Sequence, residues 1–468
     1  MIYSTKNIAK RWIRMIVKSG IFRQYDIRGI AEEEITEETA ESIGRAFGTI
    51  TTKAGETKAV VGCDNRISSE PLKKALIKGI TSTGINVIDI GIVITPMLYY
   101  SRILLGTNAG IMITASHNPP QYNGFKICTA DGGTMYGEQI QDLKRVIENE
   151  QFISGSGVSE SSDITNNYIN MIAEKVNLGN RKLKVAIDCG NGTASLFAEK
   201  LFRKLGCGVI PLFCESDPLF PNHFPDPVKK ENLEYLIKAV IENKADVGIA
   251  FDGDGDRIGV VDDQGSIIWG DNLMILFWRE IMPSHPNSKV IIEVKCSQSL
   301  VDEVEKLKGE PFFFKTGHSL IKAKMKETGV VFTGEMSGHM FFADEYYGYD
   351  DAMYAGARLL RIISKTEKPL SLLLSDINRY HSTPELRVGS SEDKKFEEVE
   401  KVRSYFKQKE IPIIEVDGVR ALYEHGWGLV RASNTGPELI VRCESKTPEG
   451  LEYIKDEIKE ALQIERLE

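Results

Sequence analysis

"KAVVGCDNRISSEPLKKALIKGITSTGINVIDIG", residues 58–91, begins with an apolar run, passes through a polar turn into an amphipathic pattern, and ends in a second apolar run. Short apolar runs bounded by turn residues predict buried strands, and apolar spacings of three and four predict a helix between them. The same order recurs in residues 183–213 and in residues 289–318. Because parallel strands need a crossover helix, the three repeats predict parallel sheets in α/β layers.

Length and composition limit the class of protein. The chain has 468 residues, of which 42% are hydrophobic and 27% are charged, and at roughly 100–200 residues per domain this length predicts three or four domains. A formal net charge of −9 argues against a nucleic-acid-binding protein, and no apolar stretch approaches the ~18 residues that cross a membrane. Seven scattered cysteines without a CxxC pair indicate neither a zinc site nor a disulfide framework, and favour a cytoplasmic location.

Each repeat leads to a further apolar run that stops at a polar loop. The three loops are "TASHNPPQYNGFK" (114–126), "FDGDGDR" (251–257) and "GEMSGH" (334–339). In open α/β sheets, ligands bind beyond the carboxyl ends of the strands. Three related domains with one such loop each are therefore expected to line a single cleft. The alternative is that the repeats reflect only the general alternation of α/β proteins, and the chemistry of the loops favours the first interpretation.

Changes in composition predict the domain boundaries. Residues 1–25 hold six Lys or Arg and no acidic residue, so residues 1–20 are interpreted as an N-terminal extension of unknown role, with a targeting peptide or a docked helix as alternatives. A flexible linker is expected at 154–163 and a separating turn at 261–266. The predicted domains are 21–155 with the Ser116 loop, 164–262 with an acidic loop, 263–377 with "GEMSGH", and 378–468.

The last domain is predicted to be a small α+β unit. A helix is expected within 391–409, and strands are expected over 411–423, 427–433 and 437–445. Its loop "RASNTGPE" combines Arg431, Ser433, Asn434 and Thr435 after a strand. A guanidinium with hydroxyl and amide donors in a glycine-containing turn is typical of a phosphate-binding loop.

"FDGDGDRIG" predicts a metal site. Asp252, Asp254 and Asp256 alternate with glycines, so three carboxylates can turn to one side of a tight loop. Hard oxygen ligands of this kind suit Mg²⁺ or Ca²⁺. An EF-hand is excluded because Arg257 stands where that loop requires glycine and because strands flank the loop. A solvated acidic turn remains the alternative.

Ser116 could be a nucleophile, a phosphate carrier or a capping serine. A hydrolase is disfavoured because His117 is adjacent in sequence, where side chains usually diverge, and because no G-x-S-x-G motif is present. With a predicted metal loop elsewhere in the chain, we expect Ser116 to carry phosphate. Lys126 could act as an acid/base or a phosphate contact, with a surface lysine as the alternative.

The loop "GEMSGH" offers Glu335, Ser337 and His339, whose side chains are suitable partners for sugar hydroxyls. His318 lies near the end of a predicted strand. A lone histidine is more often structural, so its role is left open by the residues alone.

Five motifs in order resemble those of the α-D-phosphohexomutases, in particular their phosphomannomutase/phosphoglucomutase branch: "YDIRG", "TASHNPPQYNGFK", "DGDGDR", "GEMSGH" and "RASNTGPEL". The resemblance extends from residue 21 to the end of the chain. It implies an α/β protein with four domains around a central cleft: three related α/β domains with mixed or parallel sheets, and a C-terminal α+β domain.

The resemblance also implies a role for each matched residue. Ser116 would be the phosphoserine and would bind Mg²⁺ together with Asp252, Asp254 and Asp256. The remaining catalytic residues would be Arg28, Lys126 and His318. The substrate-binding residues would be Tyr25, Arg257, Lys295, Glu335, Ser337, His339, Arg431, Ser433, Asn434 and Thr435.

The implied activity is the interconversion of hexose 1-phosphate and hexose 6-phosphate, with mannose or glucose as the sugar, through a hexose 1,6-bisphosphate that also serves as activator. The expected partner is a small sugar phosphate, and the protein is expected to be a monomer or a homodimer. A phosphoglucosamine mutase is the alternative, although glutamine would be expected in place of Met336 and "SGT" in place of "SNT". A sugar-phosphate phosphatase and a non-catalytic binding relative are more remote alternatives.

Overall fold

The computed structural model describes residues 17–434 and 436–467. Its first sheet is mixed and contains six strands: Ile27–Ile30 (β1), Lys58–Cys63 (β2), Asn86–Ile92 (β3), Gly110–Ile113 (β4), Tyr122–Cys128 (β5) and Ser159–Ser161 (β6). The spatial order is β1-β5-β4-β2-β3-β6, with β2 parallel to β3 and β4, and β5 antiparallel to β1 and β4. The helices are Glu37–Lys53 (α1), Ser69–Thr81 (α2), Thr95–Leu104 (α3) and Glu138–Glu148 (α4).

Both faces of this sheet are buried. Val60 of β2 packs into a cluster that includes residues of α3, whereas its neighbours Ala59 and Val61 pack into a cluster that includes residues of α1, α2 and α4. This two-sided burial explains why β2 is an unbroken apolar run in the sequence.

The contact between α1 and α2 depends on glycine. The Thr36 hydroxyl caps α1 by accepting a hydrogen bond from the Thr39 amide at 3.2 Å. Further along the helix, a Cβ added at Gly44 would lie 2.3 Å from the Leu76 carbonyl oxygen in α2. The two helices can therefore approach this closely only with a glycine at this position.

The second sheet has five strands: Lys184–Asp188 (β7), Gly208–Leu212 (β8), Val247–Phe251 (β9), Ile258–Asp262 (β10) and Ile267–Ile268 (β11). Their order is β11-β10-β9-β7-β8. The helices are Thr165–Lys175 (α5), Ala198–Lys204 (α6) and Glu234–Asn243 (α7). Because β10 turns back antiparallel to β9, the acidic loop lies at the tip of a hairpin.

The third unit has two short ladders. Its strands are Lys289–Glu293 (β12), Glu310–Phe314 (β13), Phe332–Gly334 (β14) and Met340–Phe342 (β15), with β12 parallel to β13 and β14 antiparallel to β15. The Thr333 hydroxyl joins the ladders by donating to the Ile291 carbonyl at 2.8 Å. The helices are Gly270–Ile281 (α8), Gln298–Lys306 (α9), His318–Thr328 (α10), Ala352–Ser364 (α11) and Leu370–Leu373 (α12).

The last unit is an antiparallel sheet with two helices packed on it, Lys395–Gln408 (α13) and Pro448–Leu462 (α14). Its strands are His381–Ser382 (β16), Leu386–Gly389 (β17), Ile413–Ile414 (β18), Val419–Tyr423 (β19), Gly426–Ala432 (β20) and Glu438–Ser445 (β21). The main order is β16-β21-β20-β19-β18, and β17 also pairs with β21.

Three local expectations differ from the structure. Residues 159–161 of the expected linker form β6, an exposed strand at the edge of the sheet. Because its side chains are polar, no apolar pattern in the sequence indicates a strand here. The turn at 261–266 is a hairpin inside the second sheet, since β11 pairs with β10. The strand expected over 411–423 is a second hairpin, because the chain reverses at Gly418, whose φ is +80°.

The predicted domain ranges remain a prediction, and residues 1–16 of the predicted extension lie outside the described residues. Among the described helices, none combines the length and the apolar character needed to span a bilayer.

Candidate active site

Ser116 lies in the loop after β4, buried and with a positive φ of 51°. A non-glycine residue in this region is uncommon and marks a locally constrained backbone. The Ser116 amide donates to the Thr114 hydroxyl at 2.8 Å. The Ser116 hydroxyl donates to Asp252 Oδ2 at 2.7 Å. The loop therefore aims the serine at the acidic hairpin of the second sheet.

The acidic hairpin brings the three predicted aspartates together. Asp252, Asp254 and Asp256 are fully buried, and their carboxylate oxygens approach within 4.8 Å of one another. Asp252 Oδ1 closes the turn by accepting from the Asp256 amide at 3.0 Å and from the Arg257 amide at 3.1 Å. The carboxylates consequently share one side of the loop.

Lys126 of β5 neutralises part of this charge. Its ammonium lies 2.7 Å from Asp254 Oδ2 and also contacts Asp256. Burial alone would lower the pKa of Lys126, but the aspartates outweigh this effect and raise its pKa above the usual range. Burial, together with the neighbouring Asp254 and Asp256, raises the pKa of Asp252 well above its ordinary value.

The aspartates fit a divalent cation with oxygen ligands. Asp254 Oδ1 and Asp256 Oδ1 are buried and have no hydrogen-bond partner among the described residues. Buried carboxylate oxygens without a partner are costly, and three hard oxygen donors at this spacing match the preference of Mg²⁺. The acidic cluster is thus able to bind a metal ion.

His339 joins the second and third units. Arg257 Nε donates to His339 Nε2 at 2.9 Å, so the ring proton of neutral His339 is on Nδ1. That nitrogen lies 3.0 Å from Asp350 Oδ2. The ring of His318, the first residue of α10, stacks on His339 at a centroid distance of 5.4 Å. Burial lowers the pKa of His318 well below its usual value.

Glu335 and Ser337 lie on the hairpin between β14 and β15. Glu335 is buried, and its Oε1 accepts from the Gly317 amide at 2.7 Å. Burial raises the pKa of Glu335. Ser337 is half-buried on the same loop.

Tyr25 joins the first, third and last units. Its hydroxyl donates to the Thr316 carbonyl at 2.8 Å and accepts from the Asn434 amide group. Three units that are distant in sequence are therefore held together at one tyrosine hydroxyl. Its ring also lies edge-on to His318 at a centroid distance of 6.4 Å.

Arg28 of β1 holds the Ser116 loop. Its NH1 donates to Asn118 Oδ1 at 2.9 Å, and its NH2 lies 2.6 Å from Asp26 Oδ2. The side chain is buried. Arg28 is thereby placed beside the segment that carries Ser116.

The expected phosphate-binding loop follows β20. Arg431 is buried and its Nε lies 2.9 Å from Asp417 Oδ2, whereas its NH2 has no hydrogen-bond partner among the described residues. Ser433 is buried, and its Oγ accepts from the Gly436 amide at 3.2 Å. Thr435, predicted to belong to this loop, lies outside the described residues.

Lys295, after β12, forms an ion pair with Glu385 of the last unit at 2.9 Å. The positive charge of nearby Arg431 opposes the protonated form of Lys295, whereas Glu385 favours it. The predicted residues from all four units are therefore connected through Ser116–Asp252, Arg257–His339, Tyr25–Asn434 and Lys295–Glu385 contacts.

Four family sequence models match the chain in order. Three are described as phosphoglucomutase/phosphomannomutase alpha/beta/alpha domains I, II and III and match residues 19–154, 166–265 and 269–380; the fourth is the family's C-terminal domain and matches residues 385–461. The chain belongs to the phosphoglucomutase/phosphomannomutase family. The predicted family and fold class are confirmed.

Known members of the phosphoglucomutase/phosphomannomutase family are similar along almost the whole chain. A phosphomannomutase/phosphoglucomutase of Pseudomonas aeruginosa is 47% identical over 93% of this chain and 94% of its own. A phosphoglucomutase of Neisseria meningitidis is 42% identical over 95% of this chain and 96% of its own. The crystal structure of a family protein from Burkholderia thailandensis has a TM-score of 0.90 and 40% identity, covering 96% of this chain and 98% of that one.

The structure adds residues that sequence reasoning missed in this phosphoglucomutase/phosphomannomutase family member. Arg66 donates to the carbonyls of Ser116, Asn118 and Pro119 at 2.6–2.7 Å. These hydrogen bonds fix the backbone of the serine loop. Asp350 is fully buried between His339 and Lys322. The available signal for Arg66 was the run of three polar residues, 64–66, that directly follows the buried strand β2. No local pattern marks Asp350.

Proposed function

We propose that the protein interconverts hexose 1-phosphates and hexose 6-phosphates through a phosphorylated Ser116. The observation that carries the proposal is the contact between the Ser116 hydroxyl and Asp252, inside a buried cluster of three aspartates and one lysine. A serine protease arrangement would need a base oriented by a buried acid. The Ser116 hydroxyl does lie 3.2 Å from His117 Nδ1, so these neighbouring side chains do not diverge as expected. The hydroxyl donates, however, to Asp252, one of three carboxylates suited to a metal ion, which favours phosphoryl transfer.

Phosphoryl transfer depends mainly on positioning and charge neutralisation. Mg²⁺ held by Asp252, Asp254, Asp256 and the Ser116 phosphate would supply part of that neutralisation. Lys126 and Arg28 lie beside the serine loop and would stabilise the charge of the transferring group. Lys126 or His318 would exchange the proton of the sugar hydroxyl that accepts or releases phosphate.

The sugar and its second phosphate would be held by the other loops. Glu335, Ser337 and His339 would accept and donate hydrogen bonds to the hydroxyls, with Arg257 fixing His339. Arg431, Ser433, Asn434 and Thr435 would hold the phosphate that does not react, while Tyr25 and Lys295 would line the path between the two ends. A 1,6-bisphosphate formed in the cleft would turn over so that either phosphate can return to Ser116. Burial of Ser116 and its partners would keep water from hydrolysing the phosphoserine.

The test is a comparison of kcat/KM for mannose 1-phosphate, glucose 1-phosphate and glucosamine 1-phosphate, with Mg²⁺ and a trace of glucose 1,6-bisphosphate. We expect similar values for the first two sugars and little turnover of the third. A preference for glucosamine 1-phosphate would assign the protein to the alternative mutase. Release of free phosphate without sugar bisphosphate would indicate a phosphatase. A cytoplasmic location and a monomeric or dimeric state remain predictions.

A further inference from the structure

Two cysteines with no place in the proposed chemistry lie side by side after two neighbouring strands of the second sheet. Cys189 follows β7 and Cys214 follows β8, and these strands are parallel neighbours. Phe213, between β8 and Cys214, has a positive φ of 49°, so the chain turns just before Cys214. The two Sγ atoms lie 3.4 Å apart. The two sulfur atoms are therefore in contact, and a displacement of roughly 1 Å or slightly more would bring them to the length of a disulfide bond.

The two thiols differ in access. Cys189 is fully buried, and burial raises the pKa of its thiol well above the ordinary value. Cys214 is half-buried. Thiolate character and access decide which cysteine an oxidant attacks first. Cys214 is therefore the thiol that an oxidant reaches first. Cys189 is the buried thiol that then reacts with the oxidised Cys214.

The turn that begins at Cys189 is connected to the acidic loop. Gly190 and Asn191 both have positive φ, 50° and 58°, a conformation that these residue types favour in tight turns. Its Thr193 amide donates to the Gly253 carbonyl at 2.9 Å, and Thr193 Oγ1 accepts from the Asn65 amide at 3.1 Å. A displacement at Cys189 would consequently be transmitted to the loop that carries Asp252 and Asp254.

We propose that Cys189 and Cys214 form a reversible disulfide that couples oxidation to the acidic loop. With hydrogen peroxide as the oxidant, the Cys214 thiolate attacks one peroxide oxygen, the O–O bond breaks, and Cys214 sulfenic acid and hydroxide are formed. The Cys189 sulfur then attacks the Cys214 sulfur, the S–O bond breaks, and hydroxide leaves. The two displaced hydroxides take up the two thiol protons, so two thiols are oxidised and one peroxide is reduced to two waters.

Peptide mapping tests the bond. Trypsin should release residues 185–200 with Cys189 and residues 205–229 with Cys214, and oxidation should join them with the loss of two hydrogen atoms. Because residues 205–229 also contain Cys207, the Cys207→Ser variant serves as the matched control. We expect the joined peptide in wild type and in Cys207→Ser, its absence in Cys214→Ser, and its loss after dithiothreitol. Absence in wild type, or dependence on Cys207, would overturn the proposal.

Turnover tests the coupling. Closing the Sγ–Sγ distance from 3.4 Å to about 2.05 Å is expected to displace the turn at Cys189. Displacements near 1 Å at a catalytic site can cost large factors in rate. We expect oxidised wild type to lose turnover by about tenfold or more, with recovery on reduction, while Cys214→Ser is unaffected. A disulfide that leaves turnover unchanged would overturn the coupling. Melting temperatures of the reduced variants show that each is folded.

Discussion

Asp350 and Asp351 are adjacent, fully buried aspartates whose carboxylates face different parts of the protein. Asp350 accepts from Lys322 Nζ at 2.8 Å and lies 3.0 Å from His339 Nδ1, in the candidate active site. Asp351 accepts from the Tyr168 and Tyr346 hydroxyls and from the Tyr354 amide, in the core behind it. One peptide bond therefore separates a carboxylate that serves the site from one that serves the fold.

Replacing Asp350 with asparagine should lower kcat by about 10–100-fold, which is at or below the lower end of the effect of a direct acid–base group, because Asp350 acts through His339 and Lys322. The change removes the charge that orients His339 and Lys322 but keeps the side-chain volume. The matched control is Asp351→Asn, which should retain wild-type kcat. Steady-state kinetics of both variants would decide the matter, and equal losses of kcat would show that Asp350 has only a structural role.

Asp351 should make the stability of the protein depend on pH. Burial raises the pKa of Asp351 from 3.8 to about 7 in the folded state. Between these values the folded protein holds a proton that the unfolded chain has released, so stability should fall as pH rises from about 4 to about 7. Urea unfolding at several pH values measures this slope. It should be shallower in Asp351→Asn, and an identical slope in the variant would contradict the assignment.

Ser116→Ala and Asp254→Asn should each lower turnover by several orders of magnitude, because one removes the phosphate carrier and the other a metal-binding charge. Circular dichroism should show that both variants fold. Ser284→Ala is a suitable control, since this exposed hydroxyl contacts the Ile281 carbonyl and the neighbouring His285 ring. Near-wild-type turnover by Ser116→Ala would rule out the phosphoserine.

Gly253 lies where the acidic loop meets the serine loop. A Cβ at this position would lie 2.3 Å from the Ser116 carbonyl oxygen, so Gly253→Ala should push the two loops apart and lower kcat by about 100-fold. At Gly208, in the same sheet, a Cβ would lie 3.8 Å from the Leu183 carbonyl oxygen, so Gly208→Ala should be neutral. Comparable kcat values for the two variants would show that this close approach is unimportant.

Arg431→Gln should raise KM more than it lowers kcat. A charged hydrogen bond to phosphate is worth about 1.5–3 kcal/mol, which corresponds to a change of about 10–150-fold in binding. Arg203→Gln, which breaks an exposed pair with Glu199, should leave both constants unchanged. If Arg431→Gln instead lowered kcat at constant KM, the guanidinium would act at the reacting phosphate.

Much of the fold follows from local patterns. The apolar runs and helical spacings predicted the strand–helix–strand repeats because each pattern is set by neighbouring residues and by burial of the element it forms. The failures occurred where burial gave no signal. β6 is exposed and polar, and the hairpin at Gly418 lies in a stretch where Glu415, Asp417 and Arg420 interrupt the apolar pattern.

The amino-acid sequence by itself determined the family, the α/β order and the loops that carry Ser116, Asp252, Asp254 and Asp256, because these are local features of composition and spacing. Only the tertiary structure decided which side chains meet. Ser116 and Asp252 are 136 residues apart, and Tyr25 and Asn434 are 409 residues apart. Contacts of this kind depend on how the units pack against one another, and no local pattern encodes that packing.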